Sequence, residues 1–323
     1  QFVSQLPISM DGSSNGIQIY SLLLRDEVGG AATNCMPVDN PADIYQLVAD
    51  ETTRLLVQEV EQQGENAVFA DCWLKIAGGA LPRKATKRVV MTEPYSSTMY
   101  ARQHYVSEYY WDQVRGSAIE NTPFPPKQTY RACWWLAEKI SEALRNTATA
   151  SSRAMAWMRD VCAVANSQGK HLEWTAPTGL LVKQHYCKST TRQVELTGTR
   201  KVKVYLRDTT DLVDPNKSAN GFCPNFVHSL DAAAATMTVN AAAAEGITDL
   251  MMIHDSFGCH ASHAPRLAYI LRDVYASIFT EDLLENLRQQ LTLLLAPGTV
   301  LPPTPDKGSL NPADLLRSPY FFA

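Results

Sequence analysis

Two short apolar segments near opposite ends of the chain each lead into an aspartate. Residues 6–11 read Leu-Pro-Ile-Ser-Met-Asp, and the apolar run 250–253 leads through His254 to Asp255. Each segment has the length of a short strand, and the second reads as a hairpin with the acid at its tip. Strands so distant in sequence pair only when the long chain between them folds back. The two aspartates would then meet at one edge of a sheet.

The chain between these two strands has mainly the apolar periodicity of helices. Helices are predicted over 83–93, 97–114, 126–147, 150–167, 226–245, 264–279 and 281–295. Segment 172–207 alternates as strands do. Because 45% of the 323 residues are hydrophobic, the chain can bury one large core or two ordinary ones. Together these patterns predict an α+β fold.

Composition and cysteine spacing exclude several classes of protein. Seven cysteines are scattered without a Cys-x-x-Cys pair, so neither a zinc site nor a disulfide scaffold is indicated. No apolar run reaches membrane-spanning length and no signal peptide is visible, so no membrane partner is expected. The net charge of −4 argues against nucleic-acid binding when taken alone, but 83–88 and 183–207 are locally basic.

Two carboxylates at one sheet edge are suited to a hard divalent cation. Mg²⁺ prefers carboxylate oxygens and takes few protein ligands, because substrate phosphates supply others. Nucleotidyl transfer uses two such ions, roughly 3.5–4 Å apart. A single acid beside a turn is more often a helix cap or a solvated group. The residues around Asp11 and Asp255 therefore decide the interpretation.

Those residues resemble motifs of the phage-type single-subunit RNA polymerases, a family that includes mitochondrial enzymes. The string Asp11-Gly-Ser-Ser-Asn-Gly-Ile-Gln18 is similar to motif A, and Ile253-His-Asp-Ser-Phe-Gly258 is similar to motif C. Between them, the segment from Arg83 to Tyr95 has the spacing of motif B. Pro224-Asn-Phe-Val-His228-Ser-Leu-Asp231 resembles a further block, and the terminal Tyr-Phe-Phe-Ala resembles the aromatic foot. The motifs occur in family order and span nearly the whole chain.

The resemblance implies a right-hand polymerase fold, with an antiparallel palm sheet, flanking helices and a mostly helical fingers domain. Residues 1–70 would be palm, 71–225 fingers with a basic β-hairpin at about 183–207, and 226–323 palm with the C-terminal foot. By the same resemblance, the thumb and the N-terminal domain of the family are expected to be absent from this chain. A second polypeptide or a longer parent chain is expected to supply them.

By resemblance, Asp11 and Asp255 are catalytic and hold two Mg²⁺ ions, with the Gly12 carbonyl as a further ligand. The same resemblance gives Tyr45 as an active-site tyrosine at the nucleotide, although a helix tyrosine can equally pack on a core. His254 is expected at the primer end, or as a residue that organises the hairpin.

The motif B residues make physical sense together. Positions 83, 87, 91 and 95 step by four, so they share one broad helix face. Arg83 and Lys87 place positive charge where a triphosphate would lie. By resemblance Lys87 also protonates the leaving pyrophosphate, and Tyr95 closes the pocket and senses the 2′-hydroxyl. A basic pair at this spacing is otherwise usually a solvated helix face.

Nucleic-acid contacts are expected at two places. His228 would lie in the minor groove of the newest base pairs, beside the nucleotide. The basic hairpin suits insertion into a DNA groove, and the alternative is an exposed, charged hairpin. Its candidate DNA-binding residues are Lys188, Arg192, Arg200, Lys201 and Lys203.

The predicted function is DNA-directed RNA synthesis from ribonucleoside triphosphates on a DNA template, with nascent RNA bound. One rival is a family A-like DNA polymerase, whose motif A carries a glutamate that blocks a ribose 2′-hydroxyl and whose motif C usually reads His-Asp-Glu. The other is a catalytically inactive DNA-binding or structural subunit. Ser96 departs from the family, which commonly has glycine there. The wording of residues 254–258 favours a phage source and the cytoplasm of an infected bacterium over a mitochondrion.

Overall fold

Helices dominate the fold. The computed structural model describes residues 6–115, 123–125, 127–196 and 202–322. The described residues form helices α1 (Asn15–Leu23), α2 (Glu27–Ala32), α3 (Ile44–Glu61), α4 (Ala67–Ile76), α5 (Arg83–Thr92), α6 (Met99–Arg115), α7 (Thr129–Thr147), α8 (Thr149–Ser167), α9 (Pro215–Ala244), α10 (Ala264–Thr280) and α11 (Leu283–Leu294). Short 3₁₀ helices lie at Glu93–Tyr95 and Pro312–Arg317.

The strands form three small antiparallel sheets. They are β1 (Ile8–Asp11), β2 (Leu172–Thr175), β3 (Leu181–Gln184), β4 (Cys187–Leu196), β5 (Val202–Val213), β6 (Leu250–Ile253) and β7 (Ser256–Cys259). The central sheet has the order β1-β7-β6, while β2 pairs with β3 and β4 with β5. The predicted α+β class, with an antiparallel central sheet flanked by helices, is confirmed.

The central sheet joins the two ends of the chain. Asp11 lies opposite Ser256 across the β1–β7 ladder, and Ser256 also pairs with Ile253 across the β6–β7 hairpin. The two-residue turn between β6 and β7 is His254-Asp255, and His254 has a φ of 55°. This left-handed conformation closes the turn tightly. Both aspartates therefore lie at the same end of the sheet.

Buried side chains form two hydrophobic cores. The first packs α8, α9, α10 and α11 against α1, the central sheet and the C-terminal residues Phe321 and Phe322. The second packs α3 to α7 around Trp73, whose indole is fully buried. The loops at the end of the central sheet lie where these two cores meet, which positions the site described below.

These cores group the segments differently from the expected domain division. Helix α3 lies within 1–70 but buries its apolar side in the second core, and α8 lies within 71–225 but packs in the first. The expected boundaries at 70 and 225 fall inside α4 and α9. The limits of the palm and the fingers therefore stay predictions, because neither limit coincides with the end of a helix or strand.

The basic hairpin differs in extent from the prediction. It runs from β4 through β5 and so covers 187–213, whereas Lys183 belongs to β3 and faces Glu173 of β2 at 3.8 Å. The expected limits of 183–207 were wrong because the alternation of two separate sheets reads as one pattern in sequence. The candidate DNA-binding residues Arg200 and Lys201 lie outside the described residues.

No helix within the described ranges combines the length and the apolar character needed to cross a bilayer.

Candidate active site

One cavity of about 630 Å³ opens between the two cores at the end of the central sheet. Its floor is the β1–α1 turn with Asp11 and the β6–β7 turn with Asp255. One wall is α5 and the start of α3, and the opposite wall is α9 with His228. All seven expected catalytic and nucleotide-binding residues therefore line this one cavity.

The two aspartates converge through the backbone that carries them. The Gly12 amide donates a hydrogen bond of 3.2 Å to the Asp255 carbonyl, which ties the two turns together. A Cβ at position 12 would lie 3.4 Å from Asp255 Oδ2, so the Asp255 carboxylate faces this backbone closely. Burial, and to a lesser extent the charge of Asp11, raises the pKa of Asp255 to about 6. The carboxylates of Asp11 and Asp255 therefore repel each other at this end of the sheet.

This arrangement fits a hard divalent cation. Two carboxylates and a backbone carbonyl are the oxygen ligands that Mg²⁺ prefers, and the cavity leaves room for substrate oxygens. The small Gly12 leaves the space beside Asp255 open, where a side chain would intrude. A bound cation would also relieve the repulsion that raises the pKa of Asp255.

The basic residues of α5 lie on the cavity wall. Arg83, Lys87, Met91 and Tyr95 all line it, as the spacing of four predicts for one helix face. The Arg83 guanidinium lies 4.8 Å from the centre of the Tyr45 ring, and Lys87 Nζ lies 5.9 Å from it. Tyr45 is thus a platform for both cations rather than a core residue alone.

Asp43 is a residue that the sequence reasoning missed. It caps α3 by accepting from the Tyr45 amide at 3.0 Å, and its other oxygen accepts from Arg83 Nε. Both side chains of this ion pair remain more than a third exposed, so the pair adds little to stability. The pair instead holds the Arg83 side chain over the Tyr45 ring.

Tyr95 is positioned by a break in α5. Pro94 ends the regular helix, and Tyr95 completes a 3₁₀ turn that is followed by Ser96 with a φ of 59°. The Tyr95 ring stacks on His228 with centroids 4.9 Å apart and 17° between the planes. Burial raises the pKa of Tyr95, and the charge of Asp231 raises it further, so its hydroxyl stays protonated.

Gly16 allows this approach of Tyr95 to the floor of the cavity. A Cβ at position 16 would lie 2.9 Å from Pro94 Cβ and 3.1 Å from the Tyr95 hydroxyl. These distances are shorter than ordinary van der Waals contact. A side chain larger than glycine would therefore displace the 3₁₀ turn and the tyrosine with it.

A buried hydrogen-bond chain supports the floor, and sequence reasoning assigned it no role. Asn15 donates to Asp231 at 2.7 Å and accepts from the Tyr275 hydroxyl at 3.1 Å. Burial raises the pKa of Asp231, while the hydrogen bond from Asn15 lowers it. The available signal was the spacing of Asp231 from His228, which places both on one face of α9.

The C-terminal residues close the site from below. The backbone of Phe322 pairs with Gly12, and the Ser13 hydroxyl donates to the Tyr320 carbonyl at 3.0 Å. Gln18 reaches from α1 to the carbonyl of Phe321 at 3.0 Å. The terminal segment is therefore part of the structure that holds Gly12 in place.

The predicted DNA-binding residues are divided between two regions. His254 lies at the exposed tip of the β6–β7 turn and lines the cavity. Lys188, Arg192 and Lys203 lie on the exposed β4–β5 hairpin and do not line it. The register of the hairpin places Arg192 opposite Leu206 and Lys203 opposite Glu195, so these two cations point to opposite faces.

Comparison with known proteins agrees with these observations. The model of a family described as DNA-dependent RNA polymerase matches residues 1–296. DNA-directed RNA polymerase 1, mitochondrial, of Arabidopsis thaliana is 31% identical over 99% of this chain and 32% of its own length. DNA-directed RNA polymerase 2A of Nicotiana tabacum is 29% identical over 99% of this chain and 92% of its own length. DNA-directed RNA polymerase 3B, chloroplastic, of Nicotiana tabacum is 31% identical over 31% of its own length.

Two points follow from these relatives. Their names place most of them in plant mitochondria and chloroplasts, so the expectation of a phage-infected bacterial cytoplasm was wrong. That expectation depended on the wording of one short motif, residues 254–258. The chain spans about a third of the length of the Arabidopsis relatives.

The family match covers most of the chain and every cavity residue except Tyr320. This chain therefore belongs to the family of phage-type DNA-dependent RNA polymerases.

Proposed function

We propose that this chain is the catalytic part of a DNA-directed RNA polymerase that adds ribonucleotides to an RNA 3′ end on a DNA template. The observation that carries the proposal is the convergence of Asp11 and Asp255 in one cavity with Arg83 and Lys87. Nucleotidyl transfer requires carboxylates that bind the metal ions and positively charged side chains that bind the triphosphate.

In this proposal Asp11, Asp255 and the Gly12 carbonyl hold two Mg²⁺ ions. When bound there, the ions lower the pKa of the RNA 3′-hydroxyl and neutralise charge on the leaving pyrophosphate. The raised pKa of Asp255 supports this assignment, because its carboxylate forms no salt bridge among the described residues. Asn15 and Asp231 hold the floor from beneath and do not need to touch the ions.

The α5 wall receives the triphosphate. Lys87 has no salt bridge within the described part of the chain, so its ammonium is available to phosphate oxygens. Arg83 would exchange Asp43 for the substrate, which costs little because that pair is exposed. Lys87 then donates a proton to the pyrophosphate as it leaves. Tyr95, held against His228, forms the surface on which the new sugar and base are checked.

The regions of the long relatives outside the matched third would belong to a partner chain or to a longer parent chain. A DNA template, nascent RNA and promoter contacts by the β4–β5 hairpin belong to the same proposal. The exposure of that hairpin along nearly its whole described length supports a role in binding an extended partner.

The test is extension of an RNA primer annealed to a DNA template, which bypasses promoter opening. The assembly containing this chain should add ribonucleotides in the presence of Mg²⁺, and Asp255→Asn should abolish the addition. Asp249→Asn is the matched control, because Asp249 is an exposed acid that does not line the cavity.

Three results would overturn the proposal. Extension that survives Asp255→Asn would remove the aspartate pair from the chemistry. Preference for deoxyribonucleotides would favour a DNA polymerase. Nucleotide binding without any extension by the wild-type assembly would favour an inactive subunit.

A further inference from the structure

A cluster of potential metal ligands lies at the base of the β4–β5 hairpin. Among the residues that the structure describes, His171, His185 and Cys187 bring their ligand atoms within 4.8 Å of one another. His171 precedes β2, His185 follows β3, and Cys187 begins β4. None of the three lines the catalytic cavity.

The fold assembles this cluster by alternation along an extended segment. His185 and Cys187 are two residues apart, so their side chains point to the same side. Tyr186 points to the other side, where its ring lies against Gly221 of α9 and its hydroxyl accepts from Asn225 at 3.2 Å. Because Tyr186 is anchored on α9, the two flanking side chains are directed at His171.

The contacts within the cluster leave polar atoms unsatisfied. The rings of His171 and His185 have centroids 3.9 Å apart, and Cys187 Sγ lies 4.0 Å from His171 Nε2. The buried Nδ1 of His171 has no hydrogen-bond partner among the described residues. Two imidazoles and a thiol therefore lie in contact, and no acid or amide among the described residues forms a hydrogen bond or ion pair with them.

We propose that His171, His185 and Cys187 bind one borderline-soft divalent ion, zinc being the fitting one. Imidazole nitrogen and thiolate sulfur are the ligands that zinc prefers, whereas Mg²⁺ prefers oxygen. Zn–N bonds of about 2.0–2.1 Å and Zn–S bonds of about 2.3 Å require the three atoms to close by less than roughly 1.5 Å. Side-chain rotation of the exposed His185 can supply that movement. Cys187 loses its thiol proton to solvent on binding.

Such an ion would fasten the hairpin to the rest of the molecule. The segment between β3 and β4 also lines a second cavity with Asn225 and His228 of α9. A metal at Cys187 would therefore fix the first residue of the hairpin relative to the helix that carries His228. A two-stranded hairpin on its own is only marginally stable, so a fixed base would set its direction.

The test is metal binding by the whole chain after treatment with a chelator. Competition with a chromophoric zinc chelator should show one tightly bound zinc per chain. Cys187→Ser and His171→Asn should each weaken zinc binding by at least about tenfold. Co²⁺ should give the visible bands of a tetrahedral site and a thiolate charge-transfer band, and the thiolate band should disappear in Cys187→Ser.

The controls are Cys72→Ser and His104→Asn, a buried thiol and an exposed imidazole outside the cluster. Both should retain wild-type zinc affinity. Co²⁺ held by Asp11 and Asp255 alone would show no thiolate band, so failure of this proposal is distinct from failure of the proposed polymerase activity. Absence of stoichiometric zinc, or equal zinc affinity in Cys187→Ser, would overturn the site and leave only adventitious binding.

Discussion

Asp255 occupies an electrostatically unfavourable position in the protein without metal. Its pKa is raised to about 6 by burial and by the charges of Asp11 and Asp231. Because the folded protein holds this proton more tightly than the unfolded chain, stability falls as the pH rises through about 6. A pKa shifted by burial and by nearby like charges is typical of functional sites, where a bound ligand offsets the repulsion.

The first prediction is that Asp255→Asn raises the melting temperature of the metal-free protein at pH 7.5. The neutral amide removes the repulsion from Asp11, so the gain should shrink as the pH falls below about 6. Differential scanning calorimetry from pH 5 to pH 8 measures it, with Asp249→Asn as the control. A lower melting temperature for Asp255→Asn at pH 7.5 would contradict the assignment.

A second prediction concerns Ser96, which stands where the family commonly has glycine. Its φ of 59° lies in the left-handed region, which costs a non-glycine residue about 1 kcal/mol. Ser96→Gly should therefore increase the free energy of unfolding by about that amount, as measured with urea. Ser96→Ala keeps the left-handed requirement and should give no such gain. Equal stabilisation by both substitutions would show that the backbone is not the cause.

At this scale the sequence predicts the residues whose chemistry is local. Asp11, Asp255, Arg83 and Lys87 are found by type and spacing, because strand ends and one helix face place them. The Asn15–Asp231–Tyr275 chain and the His171 cluster are not found in this way. Each joins three elements that are distant in sequence, and their proximity exists only after the cores pack.

The elements of the fold show where local patterns mislead. Helix α9 begins at Pro215, well before the predicted start near 226, and continues through Pro224. Proline within a helix removes one hydrogen bond and normally favours a break. Burial of Phe222 and Phe226 on either side of it holds the helix in the first core. Tertiary packing therefore outweighs the local preference here.

The β4–β5 hairpin gives a prediction about which face binds DNA. Lys203, Tyr205 and Arg207 share one face of the hairpin. Arg192 lies on the other face, with its cross-strand partner Leu206. Lysine, arginine and an exposed aromatic ring together suit contacts to a nucleic-acid backbone and base. Arg207→Gln should therefore lower the slope of log affinity against log salt by about 0.9, and Arg192→Gln should change it less.

Fluorescence anisotropy with duplex DNA at several salt concentrations measures these slopes. Each variant removes one positive charge from the same exposed hairpin, so the two are matched controls for each other. A larger effect of Arg192→Gln would assign DNA binding to the opposite face. Equal slopes for both variants and the wild type would leave the hairpin outside the DNA contact.

In the whole molecule, the two ends of the described chain meet under the active site. Phe322 is 2% exposed and packs edge-on against Phe257 and Tyr275, with ring centroids 5.5 and 5.4 Å away. Its backbone pairs with Gly12. The family order of the motifs predicts that these segments belong to one enzyme. The motif order does not predict that Phe322 supports Gly12, because this contact depends on how the cores pack.

Phe322→Ala should lower the free energy of unfolding by about 3–5 kcal/mol, because it empties a closely packed aromatic site. It should also lower catalytic activity more than the stability loss explains, because Gly12 loses its support. Urea unfolding and primer extension under folding conditions measure the two effects. Val300→Ala, at an 85% exposed position in the segment that follows α11, should change neither. Full activity in a folded Phe322→Ala variant would contradict the supporting role.

If Asp11 and Asp255 form a single cation site, they should bind Mn²⁺ together. Electron paramagnetic resonance can measure Mn²⁺ affinity for the wild type, Asp11→Asn, Asp255→Asn and the double variant. If the carboxylates share the ions, each single substitution should weaken binding nearly as much as both together. Losses that simply add, or Mn²⁺ binding that persists in the double variant, would contradict a shared site.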